Sequence, residues 1–124
     1  MLQNPDFGKD SFEDILSKDS RYAPQAYAFL LDVLRNLAED PAPFDANDIM
    51  DEFRAYAIEL WGPMAYLLLN EWGVKRCEDI GEMMFNLGDT GRIGDWGESK
   101  NECFINGFDF EEEFKIPYEE PLLP

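Results

Sequence analysis

Apolar residues recur at helical spacing in residues 24–38, PQAYAFLLDVLRNLA, and this pattern constrains the fold more than any other feature. Pro24 suits the first position of a helix, where its missing N–H removes no hydrogen bond. Polar residues form only a narrow stripe, and the opposite side carries Tyr27, Leu30, Leu31, Leu34 and Leu37. A helix this apolar must bury most of its surface, so the pattern predicts a central core helix.

Four further segments carry the same period, so the sequence predicts additional helices over residues 10–18, 48–61, 63–72 and 77–87. Ser11 is the expected N-cap of the first, and Asp45 or Asn47 caps the helix that follows the proline-rich connector 39–47. Gly73 suits a left-handed helix end. Gly81 weakens its own helix by about 1 kcal/mol relative to alanine, which indicates close helix packing at that position.

Helical periodicity ends at Gly88, within the glycine-rich stretch 87–102, LGDTGRIGDWGESKNE. Its recurring glycines predict a turn-rich β-hairpin with strands at 92–96 and 102–105. Ile93 and Trp96 are expected to fold back onto the core. Residues 108–114, FDFEEEF, fit either a strand or one helical turn capped by Asp109. The proline-rich tail 116–124 is expected to be extended.

The fold class predicted is therefore mainly α with a small C-terminal β-hairpin, an α+β arrangement in a single domain 1–124. The helical part covers about residues 10–87, and the hairpin with an extended acidic part covers about 88–124. The order of the last three helices and the hairpin resembles a winged helix-turn-helix. The third of these helices contains no Lys or Arg, so the pattern does not favour DNA binding.

The net charge of −17 excludes several classes of partner. Nucleic-acid binding depends on Lys and Arg that neutralise phosphates, so direct binding to nucleic acid or to an anionic membrane is not expected. No apolar run approaches the roughly 20 residues that cross a bilayer, and no secretory signal is visible. We therefore expect a cytoplasmic protein, in which Cys77 and Cys103 are free thiols.

Catalytic and metal-binding motifs are weak in this chain. Histidine is absent, which removes the commonest general base and most catalytic zinc sites. The glycine-rich stretch lacks the Gly-Lys-Ser/Thr of a phosphate-binding loop. A calcium loop counted from Asp89 places Lys100 where a glutamate is required. Asp48, Asp51 and Glu52 share a helix face, but the N-terminal end of a helix explains them without Mg²⁺. No cofactor or metal is expected.

Aromatic and acidic residues concentrate in the last third of the chain, and aromatic side chains often anchor protein interfaces. The predicted function is a non-catalytic protein–protein interaction module with a partner that carries basic groups. The alternatives are an acidic decoy that mimics nucleic acid for a basic protein, and a Mg²⁺-dependent enzyme that uses only carboxylates. The candidate partner-binding residues are Trp96, Phe108, Phe110, Glu111, Glu112, Glu113, Phe114 and Tyr118.

Two runs carry a resemblance to a known family: residues 60–87, LWGPMAYLLLNEWGVKRCEDIGEMMFNL, and residues 104–114, FINGFDFEEEF. With the upstream SRYAPQAYAFLLDVL, they resemble an uncharacterised family of conserved bacterial proteins described chiefly from planctomycetes and verrucomicrobia. The resemblance covers roughly residues 10–114. It implies a bacterial, cytosolic protein, but no activity and no site residues. The loop GDTGRIGDW departs from the plainer loop that the family leads us to expect.

Overall fold

The computed structural model of the chain describes residues 12–94, 102–105 and 107–118, and all regular structure within them is helical. Five α-helices follow one another, with 3-10 turns at Gly62–Met64, at 102–104 and at Ile116–Tyr118, and a π-helical turn at Glu111–Lys115. The α-helices are α1 (Glu13–Lys18), α2 (Pro24–Ala38), α3 (Ala46–Trp61), α4 (Ala65–Glu71) and α5 (Cys77–Asp89).

The helices predicted from apolar periodicity are confirmed. The bounds of α2 match the prediction, whereas α3 begins two residues early because Asp45 is its N-cap. The carboxylate of Asp45 accepts the N–H of Asp48 at 3.0 Å, and the carboxylate of Asp48 accepts the N–H of Asp45 at 3.0 Å. This reciprocal pair satisfies two donors at the helix start. The predicted N-cap Ser11 lies outside the described residues.

The predicted left-handed end at Gly73 is also confirmed. Its φ is 90°, its N–H donates to the carbonyl of Asn70 at 3.0 Å, and the N–H of Val74 donates to the carbonyl of Leu69 at 2.9 Å. These two bonds define a Schellman motif at the end of α4. A side chain at position 73 would collide with the backbone carbonyl of Arg21, so both backbone and space require glycine there.

The predicted β-hairpin, and with it the α+β class, is wrong. No strand occurs in the described part of the chain, and residues 102–104 form a 3-10 turn. Helix α5 continues past Gly88 to a second Schellman motif, in which Arg92 N–H donates to the Leu87 carbonyl at 3.0 Å. Gly91, with φ 79°, is its left-handed residue. Glycines at this spacing end a helix as readily as they turn a hairpin, so periodicity alone could not separate the two.

Two further predictions for the C-terminal third change with the hairpin. The predicted resemblance to a winged helix-turn-helix is wrong, because the wing of that fold is a β-hairpin and the described residues contain no strand. Residues Ile116–Tyr118 form a 3-10 turn, whereas an extended tail was predicted. Ile93 does pack against the core, as predicted, whereas Trp96 lies outside the described residues. The single-domain assignment of residues 1–124 stays a prediction.

The core surrounds α2, which packs against α3 and α5. Phe29 of α2 is the centre of an aromatic cluster, with ring centroids 4.9 Å from Phe53, 5.5 Å from Tyr56 and 4.8 Å from Trp61. Packing at Gly81 is close, as predicted, but the nearest atoms belong to the ring of Phe104 in the turn at 102–104, whereas another α-helix was expected there. No helix in the described residues is long and apolar enough to span a membrane.

The segment 107–118 packs onto the helices through its aromatic residues. Phe110 and Phe114 are buried, and the ring of Phe110 lies 6.4 Å from that of Phe53. Gly107 fits where a Cβ would come within 2.6 Å of the sulfur atoms of both Met50 and Cys77. The π-helical turn therefore sits against Gly62–Met64 and α4, and positions its carboxylates beside them.

Candidate functional site

The structure divides the predicted partner-binding residues into two groups. Phe110 and Phe114 are core residues, with ring centroids 5.0 Å apart, and Phe108 is half-buried against them at 5.3 Å from Phe110. A buried ring cannot contact a partner. The packing of these aromatic rings instead holds the segment against the helices. The exposed members of the set are Glu111, Glu112 and Tyr118, with Glu113 half-buried; Trp96 lies outside the described residues.

The acidic residues of the π-helical turn have different local roles. The carboxylate of Asp109 accepts the backbone N–H groups of Glu111 at 2.8 Å and Glu112 at 3.2 Å, which starts the turn. This supports the predicted helical-turn alternative for the segment. Glu113 pairs with Arg54 at 3.6 Å, and Glu111 accepts the hydroxyl of Tyr66 at 3.4 Å. Glu112 makes no hydrogen bond or ion pair through its carboxylate to a described residue.

A cleft of about 420 Å³ opens between this segment and the helices. One wall comes from residues 107–111, and the opposite wall comes from α4, the connector between α4 and α5, and the start of α5. The second wall includes five residues that the sequence analysis did not identify: Tyr66, Asn70, Lys75, Arg76 and Glu78. The only sequence signal among these residues is the pair of adjacent cations, Lys75 and Arg76, in a strongly acidic chain. That signal does not distinguish a binding residue from an ordinary surface cation.

Asp79 fixes the backbone that carries the two cations. Its carboxylate accepts the N–H of Lys75 at 2.8 Å and that of Arg76 at 3.1 Å, and it also accepts the hydroxyl of Tyr22 at 2.6 Å. Burial, reinforced by this carboxylate, raises the pKa of Tyr22 far above its usual value. The hydroxyl therefore stays protonated and remains a donor, so the edge of the cleft is anchored to the core.

A second polar network lies around Asp19. Arg21 binds this carboxylate through two nitrogens, at 2.9 and 2.7 Å, and reaches Glu82 at 3.2 Å. Asn86 donates to Asp19 and to the hydroxyl of Tyr27, both at 3.0 Å. The hydrogen bonds from Arg21 hold the pKa of Asp19 well below its usual range. Because these groups satisfy one another, the network ties the α1–α2 connector to α5.

Exposed apolar side chains form a separate feature. The described residues include seven large hydrophobic side chains that are exposed, and five of these belong to neighbouring elements: Leu60, Met64, Leu67, Ile116 and Tyr118. The 3-10 turn Gly62–Met64 touches the end of α3, α4 and the π-helical turn, which continues into Ile116–Tyr118. Beside Leu60, a groove of about 240 Å³ is lined by Phe29, Trp61 and Trp72 among others.

Two of the three candidate magnesium residues have other partners. Asp48 belongs to the capping box of α3, and Glu52 accepts the side-chain amide of Asn36 at 3.2 Å. Asp51 is exposed. The described residues hold no group of three or more Asp, Glu, His or Cys side chains arranged to bind a metal ion.

Both cysteines are free thiols, as predicted. Cys103 is exposed, whereas Cys77 is buried and its Sγ lies 3.5 Å from the carbonyl oxygen of Phe108. Burial raises the pKa of the Cys77 thiol to about 12. The thiol is therefore protonated near neutral pH, and it packs as a small apolar group beneath the cleft-forming segment.

Comparison with known proteins adds no relative to this description. No protein-family model, no curated protein and no solved structure matches the chain.

Proposed function

We propose that the protein is a non-catalytic interaction module that binds a protein partner carrying basic groups. The observation that supports this proposal is the grouping of exposed apolar side chains beside exposed carboxylates. We define the interaction face as Met64, Leu67, Glu111, Glu112, Ile116 and Tyr118. Clustered exposed apolar residues rimmed by polar groups are typical of protein-binding surfaces.

The chemistry of this face selects the partner. Met64 and Leu67 have more than half of their surface exposed, at 54% and 58%, so a partner gains free energy by covering them. Glu111 and Glu112 add negative charge at the edge, which favours Lys or Arg on the partner and speeds encounter. The aromatic residues predicted as contacts support the face from beneath, since Phe110 and Phe114 hold the π-helical turn against the core.

The proposed setting is the bacterial cytoplasm, which the family resemblance implies and with which the negative charge and the two free thiols agree. Direct contact with nucleic acid or an anionic membrane is not part of the proposal, because a net charge of −17 opposes both.

Affinity capture from native bacterial lysate tests the proposal, with quantitative mass spectrometry at low and moderate salt. A stoichiometric partner is expected for the wild-type protein. It should be lost with Met64→Ser, Leu67→Ser and with Glu111→Lys, Glu112→Lys. Glu39→Lys, Asp51→Lys changes charge equally at exposed sites outside the face and should retain the partner. Equal capture by all variants, with unchanged melting temperatures, would contradict the proposal.

Competition with nucleic acid and melting in divalent ions test the two alternative functions. A decoy that mimics nucleic acid predicts that DNA or RNA competes for the captured partner and that capture falls steeply with salt. A Mg²⁺-dependent enzyme predicts that divalent ions raise the melting temperature and that Asp51→Asn, Glu52→Gln removes the rise. An interaction module predicts neither competition by nucleic acid nor stabilisation by divalent ions. Weaker capture in salt is expected for the module as well, because Glu111 and Glu112 face charged groups of the partner.

A further inference from the structure

Most cations in the described part of the chain form ion pairs, but two that line the cleft do not. Lys18, Arg21, Arg35, Arg54 and Arg92 each pair with a carboxylate. The side-chain nitrogens of Lys75 and Arg76 have no described carboxylate oxygen within 4.0 Å, although acidic residues outnumber basic ones 27 to 10 in the sequence. Both of these cations line the 420 Å³ cleft. No described carboxylate therefore competes with a ligand in that cleft for these two charges.

The opposite charges in the cleft restrict what that ligand can be. Glu78, Asp109 and Glu111 also line it, so an anion alone would be repelled by three carboxylates. A cation alone would meet Lys75 and Arg76. A molecule with one negative and one positive group can pair with both sets. Phe108, which is half-buried, and Tyr66, whose hydroxyl lies 3.4 Å from the carboxylate of Glu111, also line the cleft.

Both walls are held in place before a ligand arrives. Asp79 fixes the backbone of Lys75 and Arg76 through two hydrogen bonds. Close packing of Gly107 against Met50 and Cys77 fixes the facing segment. A volume of about 420 Å³ lies within the range of small-molecule sites, which is roughly 300–1,000 Å³. A preformed cleft loses less conformational entropy when a ligand binds.

We propose that this cleft binds a small zwitterion of amino-acid type, with its carboxylate at Lys75 and Arg76 and its ammonium group at the carboxylates of the cleft. This is a binding site for a metabolite. It shares Glu111 with the interaction face, but the apolar residues of that face, Met64 and Leu67, do not line the cleft. The binding step involves no covalent chemistry.

The test is a titration of the ¹⁵N-labelled full-length chain, followed by amide chemical shifts. The probes are glycine, β-alanine, 4-aminobutyrate and 6-aminohexanoate, which differ in the separation of their two charges. Propionate and propylamine are the matched singly charged controls. At least one zwitterion should saturate shifts at Asn70, Arg76 and Gly107, with a Kd about tenfold below that of either control. Equal binding of propionate, or no saturation by any zwitterion in the millimolar range, would overturn the proposal.

Variants then test the assigned groups. Lys75→Gln, Arg76→Gln should weaken binding of the best zwitterion about tenfold, since it removes both carboxylate partners. Lys18→Gln removes an exposed cation that is paired with Asp89 at 3.5 Å and should leave the Kd unchanged. Glu78→Gln should weaken the zwitterion but not propionate. If both cation variants bind alike, or if Glu78→Gln changes both ligands equally, the assignment is wrong.

Discussion

Gly73 and Gly91 occupy the same position in two Schellman motifs, but their surroundings differ. Both have positive φ, at 90° and 79°, whereas only Gly73 faces a backbone atom, the carbonyl oxygen of Arg21. The alanine side chain of Gly91→Ala enters open space, so the variant should lower the free energy of unfolding only by the backbone strain, about 1 kcal/mol. Gly73→Ala adds a steric clash and should cost about 3 kcal/mol. Urea denaturation of the two variants measures the difference, and equal midpoints would show that the clash relaxes.

Asp19 predicts a pH dependence of stability. Its folded pKa is depressed by the hydrogen bonds from Arg21, so it binds its proton less readily in the folded state. The ionised carboxylate contributes fully to the free energy of unfolding above the ordinary aspartate pKa of about 3.9. This contribution is lost as the pH falls from there through the lowered pKa of Asp19 in the folded state. Wild-type stability should therefore decline more steeply below about pH 4 than that of Asp19→Asn.

Denaturation midpoints across that pH range test this dependence. Asp51→Asn is the control, because Asp51 is exposed and makes no hydrogen bond or ion pair to a described residue. It should keep the wild-type slope. If Asp19→Asn also keeps that slope, the paired geometry around Arg21 does not persist in solution.

At the scale of elements, the start of α3 depends on one cap. Sequence patterns left Asp45 and Asn47 as alternatives, and the structure assigns the role to Asp45 through its bond to the N–H of Asp48. Asp45→Ala should lower the free energy of unfolding by about 1 kcal/mol. Asn47→Ala, within the first turn, should change it by less than about 0.5 kcal/mol. Thermal unfolding compares them, and an equal loss would mean that the cap is shared.

The turn at 102–104 is held to α5 by one aromatic ring. Phe104 is fully buried against Gly81, whereas its neighbour Ile105 is 51% exposed. Phe104→Ala should therefore cost about 3–5 kcal/mol, and Ile105→Ala should cost less than about 0.5 kcal/mol. Chemical denaturation distinguishes this arrangement from the predicted hairpin. A hairpin strand with Ile105 directed inward would reverse the two effects.

For the whole molecule, the excess negative charge opposes compaction. The net charge is −17, and the ion pairs of the described residues are mostly exposed, so each contributes little. Added salt should screen the repulsion more than it weakens these pairs, and raise stability by about 1 kcal/mol between low and moderate ionic strength. Differential scanning calorimetry in NaCl, with sucrose as an uncharged control, measures this. A lower melting temperature in salt would mean that the ion pairs dominate.

The sequence predicted those parts of the fold that depend on short-range spacing and on backbone conformation. Apolar spacing located α2, and Gly73 marked the end of α4, because period and backbone conformation are properties of the chain itself. For the candidate site, the sequence indicated Phe108, Phe110 and Glu111 as partner-binding residues, which stays a prediction, and it identified neither the cleft nor its facing wall. Lys75 and Arg76 look like any exposed cations until the fold places them across from Asp109 and Glu111.

By itself, the sequence determined the helical character of residues 24–87, the strong negative field and the absence of histidine chemistry, because these depend on composition and on short-range spacing. Tertiary structure decided the rest. It formed the described residues of the last third into helical turns, because burying Phe104, Phe110 and Phe114 against the helices outweighed weak local preferences. The same burial removed aromatic residues from the predicted surface and formed the cleft, since which groups meet across a core depends on contacts between distant residues.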